Sequence, residues 1–169
     1  HGATKAAGPE TWRAWRREPW VTYAGERFLH HPPLFVHQFP QAWLDWRGHA
    51  DEVSGVNFFA QACAATRAQK RFCKDLAARF PHYGENVWGL TSSDGAAGYV
   101  DWGGPPVRSG EVDTRIDGTV VPCAAAGSLV FCPEDCVAAL REMHARWGDR
   151  IYGPYGFADA FNPHTGWVG

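Results

Sequence analysis

These 169 residues contain no surplus of either charge, no long apolar run and no paired-cysteine motif. The 16 basic and 18 acidic residues leave a net charge of −2, too little for the electrostatic footprint that nucleic acid requires. The one basic cluster, Arg13, Arg16 and Arg17, reads as a solvated helix face. No apolar stretch approaches the roughly 20 residues a spanning helix needs, so no membrane contact is expected from this segment. The five cysteines form no CxxC pair. Cys132 and Cys136 suit one helix face, yet no His/Cys pair completes a zinc site. The thiols read as buried and free, and neither a metal nor another cofactor is expected. A phosphate-cradling glycine loop, an HExxH helix and a nucleophile elbow around the serine of GSLVF are all missing. There is no fixed-period repeat.

What is present is an ordinary globular balance, 45% hydrophobic and 20% charged, carrying an unusual load of rings: nine Trp, ten Phe and five Tyr. Residues 82–104, HYGENVWGLTSSDGAAGYVDWGG, set Tyr83, Trp88, Tyr99 and Trp102 beside Glu85, Asp94 and Asp101 in a glycine-rich stretch. The stretch has no helical or alternating period. Flat aromatic faces stack on pyranose C–H faces, and carboxylates bind hydroxyls and move protons. Glycine lets backbone approach a ligand closely. The rival reading is a long surface loop pinned down by buried Trp88 and Trp102.

The periodicity predicts helices joined by ring-bearing loops, an all-α chain without a convincing strand. A short helix is expected over Pro9–Arg17 and a loop over 18–38. Pro40 opens a second helix, PQAWLDW, which ends before Gly48. The long helix is expected from Ser54, as its cap, to Phe80, with Pro81 ending it. Its stripe is Val56, Phe59, Ala60, Cys63 and Ala64, continued by Ala68, Phe72, Leu76 and Phe80. So wide an apolar surface suits a helix packed on more than one side. Thr119–Phe131 is expected as a small-residue helix with Pro122 in its first turn. A further helix opens at Pro133, and Gly148 stops it. Residues 151–169 read as loop, and Val107–Val121 as a small hairpin around Asp117-Gly118.

Three constellations carry chemistry. In HQFPQAWLDWRG, a helix would put Gln41 and Asp45 on one face, gathering His37, Gln38, Asp45 and Arg47 near Trp43. An Asp45–Arg47 cap on local backbone is the alternative. Glu85 and Asp94 flank Trp88-Gly89-Leu90. Glycoside hydrolysis needs two carboxyl groups, one protonated and one ionised, and these two are the catalytic candidates. Asp94 before Gly95 equally suits a turn, and Glu85 a solvated acid. Asp159 and Asn162 stand among Tyr155, Phe157 and Phe161, where an Asx-capped turn before Pro163 is the rival.

HQFPQAWLDWRG, YGENVWGLTSSDGAAGY, DGTVVPCAAAGSLVFCPE and YGPYGFADAFNP, in this order, resemble the glucoamylase-like domain of endo-β-1,2-glucanases. The same domain forms the tail region of cyclic β-1,2-glucan synthases. The resemblance covers nearly the whole chain. It implies an (α/α)6 toroid-type barrel, present here as a partial set of helices, and hydrolysis of β-glucan with inversion. Inversion places acid and base about 6.5–9.5 Å apart to admit a water. Carried over by motif, His37, Gln38, Asp45, Arg47, Trp88, Asp94, Tyr99, Asp159 and Asn162 are cleft candidates; Trp43 joins them as a ring that shapes a subsite. Pro40-Gln41 stands where the family has Ser-His, and Gln61-Ala62 where it often has Asn-Ser. The family's upstream Asn-Glu and downstream Ile-Asp-Gln-Gly-Pro motifs are outside these residues. The chain therefore reads as a single partial domain, cut at both ends.

The expected function is thus that of a monomeric glycoside hydrolase domain with an oligo- or polysaccharide substrate, placed by resemblance in the periplasm or outside the cell. A non-hydrolytic glucan-binding or processing module of a synthase is the alternative. An all-α scaffold without a ligand is a third class.

Overall fold

The computed structural model describes residues 8–106 and 113–169. Helix and ribbon alternate along the chain: α1 (Pro9–Ala14), β1 (Trp20–Tyr23), β2 (Glu26–Leu29), α2 (Phe35–Trp43), α3 (Phe58–Asp75) with a 3-10 turn at Leu76–Ala78, β3 (Ser92–Gly95) and β4 (Gly98–Asp101). There follow α4 (Pro122–Ala126), α5 (Pro133–Ile151), β5 (Tyr152–Gly153), β6 (Gly156–Phe157), β7 (Phe161–Asn162) and β8 (Trp167–Val168). The strands pair consecutively into four antiparallel two-stranded ribbons. The molecule is therefore a mixed α and β domain, which overturns the all-α toroid expectation. Strands of two to four residues are too short to show an alternating apolar period, so their sequences had read as loop.

α3 is the spine. Asn57, not Ser54, caps it, its side chain accepting from the Ala60 amide at 2.8 Å. Ser54 instead donates its amide to Asp51, 3.0 Å away. Ala62, Ala64, Ala65, Ala68, Phe72 and Cys73 are all buried, so the helix is packed on more than one side, as its wide stripe predicts. The small side chains let β1 and β2 lie close: Val21 and Phe28 pack on Ala64, Ala65 and Ala68. Polar groups fasten the same helix. Gln69 donates to the Leu90 carbonyl at 2.6 Å and accepts from the Leu90 amide at 2.8 Å. Gln61 accepts from the Leu29 amide of β2 at 3.0 Å.

The larger core gathers Trp88, Leu90, Phe72, Val121, Met143 and Phe161 from α3, α5, the segments between them and β7. α4 packs against α5. Pro122 does open α4, but that helix ends at Ala126 instead of running to Phe131. α5 runs through Gly148 to Ile151. α2 begins at Phe35, five residues before Pro40, which sits inside it. Its last residue is Trp43, so Asp45 lies beyond the helix and shares no helical face with Gln41. α1 has no buried residue; Trp12 and Arg17 hold it by donating to the buried Asp51 at 2.6 and 3.2 Å. Of the hairpin expected over Val107–Val121, residues 107–112 lie outside the described residues. The rest forms a turn, after which Val120 pairs with Phe161 in an isolated bridge.

Candidate functional site

The stretch over 82–104 resolves into two layers. Trp88 and Trp102 are buried, at 0% and 4% exposure, and they root the β3–β4 ribbon. The Trp102 indole donates to the Ser93 hydroxyl at 2.7 Å. Because neighbouring strand residues point to opposite faces, Ser93 turns in and Asp94 turns out to solvent. Tyr99 is directly opposite Asp94 in the register and is 73% exposed. Residues paired in this way share a face.

Asp159 comes to the same place from 65 residues away: its carboxylate accepts from the Asp94 amide at 2.8 Å. The Asp159 segment is fixed on one side by Ala158, whose amide donates to the Ile151 carbonyl, and on the other by the reciprocal Val120–Phe161 bonds. The Cys123 thiol, on α4, is pushed up by loss of water and then by the charge of Asp159. α4 thus flanks the acids. Two exposed carboxylates and an exposed phenol ring on a glycine-rich ribbon can bind hydroxyls, and either carboxylate can take up or deliver a proton.

A second group forms at the end of α2. Trp43 is 85% exposed and borders a pocket of about 270 Å³ together with Gln41, Asp45, Arg47, Phe59 and Val130. The Arg47 guanidinium donates two bonds of 2.8 Å to the Asp45 carboxylate. Those bonds hold Asp45 down at about 2, so it is a fixed anion. Gln38 reaches from the same helix to α4, donating to the Ala124 carbonyl and the Ser128 hydroxyl at 2.9 Å. The turn after α4 therefore reaches this second group, through Val130 in the wall beside Trp43.

Other candidates serve the fold. His37 is buried and does not join Trp43; its Nδ1 accepts from Gln61 at 3.0 Å and its Nε2 donates to the His31 carbonyl at 3.2 Å. Burial depresses it to about 4, which leaves the ring neutral in that tautomer. Gln38 is half-buried and spends its amide N–H groups on the α4 side. Trp88 offers no face to a sugar, and its Nε1 has no acceptor among the described residues. Asn162 is 2% exposed: it accepts from the His164 and Thr165 amides and donates to the Asp117 carbonyl and Thr119 hydroxyl. That is the Asx turn its sequence allowed. Glu85 is clamped by Lys70 at 2.6 Å and Lys74 at 2.7 Å. Hydrogen bonds from the two lysines hold it at about 2, so it is ionised at neutral pH and has no proton to donate. Of the residues that shape the two groups, the sequence reading named Trp102 as a buried pin and Phe59 in the stripe of the long helix, but did not single out Ser93 or Val130. No three or more His, Cys, Asp or Glu side chains among the described residues are grouped to hold a metal ion.

A family model described as "Putative glucoamylase" matches residues 2–169. The chain belongs to this glucoamylase-like family. An exo β-1,2-glucooligosaccharide sophorohydrolase (non-reducing end) from Parabacteroides distasonis is 32% identical over 136 residues, 80% of this chain. The crystal structure of a β-1,2-glucanase from the same organism superposes with a TM-score of 0.76 at 31% identity, over 87% of this chain. An endo-β-1,2-glucanase from Chitinophaga pinensis, solved with sophorotriose and glucose, superposes with a TM-score of 0.77 over 89% of this chain. At 22% identity it shows the shared fold alone. This glucoamylase-like chain spans 18% of the length of the curated relative, and 20% and 36% of the two solved chains.

Proposed function

We propose that this chain contributes the Asp94–Asp159 edge of a saccharide cleft to a glycoside hydrolase acting on β-1,2-linked glucan. The observation that carries the reading is the meeting of Asp94 and Asp159, held together by the 2.8 Å amide-to-carboxylate bond, beside the exposed Tyr99 ring. Family membership and the activities of the two related β-1,2-glucan hydrolases from Parabacteroides distasonis support the linkage. In this reading Asp94 acts on the reacting bond or its water, Asp159 positions Asp94 and accepts from hydroxyls, and Tyr99 stacks on a sugar ring. Trp43, Asp45 and Arg47 form a further subsite. Inversion, a single domain contributing part of a larger catalytic unit, a monomeric state and a periplasmic or extracellular setting belong to the same proposal.

Changing Asp94→Asn in the whole protein is expected to cut turnover of β-1,2-glucan by orders of magnitude with the unfolding midpoint unchanged. Near-normal turnover removes Asp94 from the reaction. Proton NMR of the first product then reads the stereochemistry: an α-anomer from the β-linked substrate marks inversion, and a β-anomer rejects it.

The double lysine clamp on Glu85 favours a second reading, in which this part holds glucan and the proton donor is supplied from elsewhere or hydrolysis does not occur. Unchanged affinity for β-1,2-gluco-oligosaccharides together with lost turnover in Asp94→Asn supports the hydrolase. Full loss of binding with no turnover in the parent protein supports the holding module.

A further inference from the structure

The start of α5 lies along one face of α3, in a seam that the glucan chemistry does not use. Phe59, Cys63, Arg67 and Lys70 follow one another three or four residues apart on α3 and so share that face. Phe131 packs on Phe59 with ring centroids 5.5 Å apart, and Lys70 donates to the Asp135 carboxylate at 2.7 Å. Two cysteines sit between these contacts. The Cys132 Sγ is 3.9 Å from the Cys63 main-chain oxygen. Both residues are half-buried, within reach of a small reagent, whereas Cys73 and Cys136 are buried and Cys123 is exposed on α4.

The charges around the pair suit thiol chemistry. Loss of water pushes both thiols up, the neighbouring Cys63 adds to the rise at Cys132, and the Arg67 charge draws both back. A cation beside a thiol favours the thiolate, which is the attacking form. Two acids face the pair, and each is offset by its own cation. Arg67 holds Glu26 at 2.7 and 2.8 Å, and Lys70 holds Asp135.

We propose that Cys63 and Cys132 form a reversible disulfide, tying α3 to the start of α5, when the protein meets a low-molecular-weight disulfide. The Cys132 thiolate attacks one sulfur of that disulfide, forms a mixed disulfide and expels one small thiolate. The Cys63 thiolate then attacks the Cys132 sulfur and expels the second. Both cysteines are oxidised, the small disulfide is reduced to two thiols, and the two cysteine protons pass to these. The bond joins residues 69 apart in the chain, and a cross-link over so long a loop restricts the unfolded chain. It also fixes Phe59 and Val130, two walls of the Trp43 pocket, through their neighbours Cys63 and Cys132.

The parent protein is incubated with excess oxidised glutathione in mildly alkaline buffer. Remaining thiols are then capped with N-ethylmaleimide under denaturing conditions, and the peptides are mapped by mass spectrometry without reduction. A peptide pair joined through Cys63 and Cys132 is expected as the main product. The urea midpoint is expected to shift upward and to return on adding dithiothreitol. Cys63→Ser is expected to abolish the joined pair and leave glutathione on Cys132, while Cys123→Ser leaves the pair intact. Glutathione on Cys63 and Cys132 without a joined pair overturns the proposal. So does joining of Cys132 to Cys136 or to any other cysteine, and so does recovery of Cys63 and Cys132 as capped free thiols.

Discussion

Burial of His37 between α2 and α3 strips water from its imidazole and holds it at about 4, against an ordinary 6.5. Above pH 6.5 both folded and unfolded chains carry a neutral ring, and the group leaves stability unchanged. As pH falls from 6.5 towards 4, the unfolded chain binds a proton that the folded chain refuses, so stability drops by about 3 kcal/mol. Urea midpoints measured across that range should decline, and His37→Gln should flatten the decline. Gln69 illustrates a different dependence. Its one amide satisfies both main-chain groups of Leu90, and Gln69→Leu leaves both buried and unpaired, at a cost of about 2–5 kcal/mol in urea unfolding. Neither role was legible in the sequence. His37 reads as a cleft candidate from its motif and its closeness in sequence to Trp43, Asp45 and Arg47; it turns inward from α2, which ends at Trp43, leaving Asp45 and Arg47 beyond the helix.

The body of α3 was legible, because an 18-residue helix repeats its apolar period often enough to stand out from noise, though its α-helical part stops at Asp75 and a 3-10 turn follows, short of the expected Phe80. Its start was not, since Ser54 and Asn57 are both competent caps and the choice fell to Asp51, which engages Ser54. The ribbons were illegible for want of length. Gly89 shows how elements meet: its φ is 134°, and a Cβ there would lie 2.8 Å from the Val121 carbonyl oxygen, just before α4. Gly89→Ala therefore combines backbone strain with a clash that no rotamer relieves. It should cost about 2–4 kcal/mol, seen as a lowered urea midpoint, with the loss of amide protection greatest in α4 and residues 88–91.

The molecule as a whole is built around Trp88, a wholly buried ring in a core shared by α3, α4, α5 and the last ribbons. Trp88→Ala should cost about 3–5 kcal/mol. In the parent chain, near- and far-ultraviolet circular dichroism should report one coincident melt; separate transitions would show that the β1–β2 cluster unfolds on its own. Composition and motif order, read without coordinates, established a globular ring-rich chain, its long helix and its glucoamylase-like family, because these reside in local period and in short strings of residues. They also marked Asp94, Tyr99 and Asp159 as candidates for one cleft, by resemblance, without showing the bond that joins the two acids. That meeting, the retirement of Trp88, His37 and Asn162 into the interior and the clamping of ionised Glu85 by Lys70 and Lys74 depend on contacts between separate segments of the chain. Such contacts are set by how the whole core packs, and no window of sequence contains them.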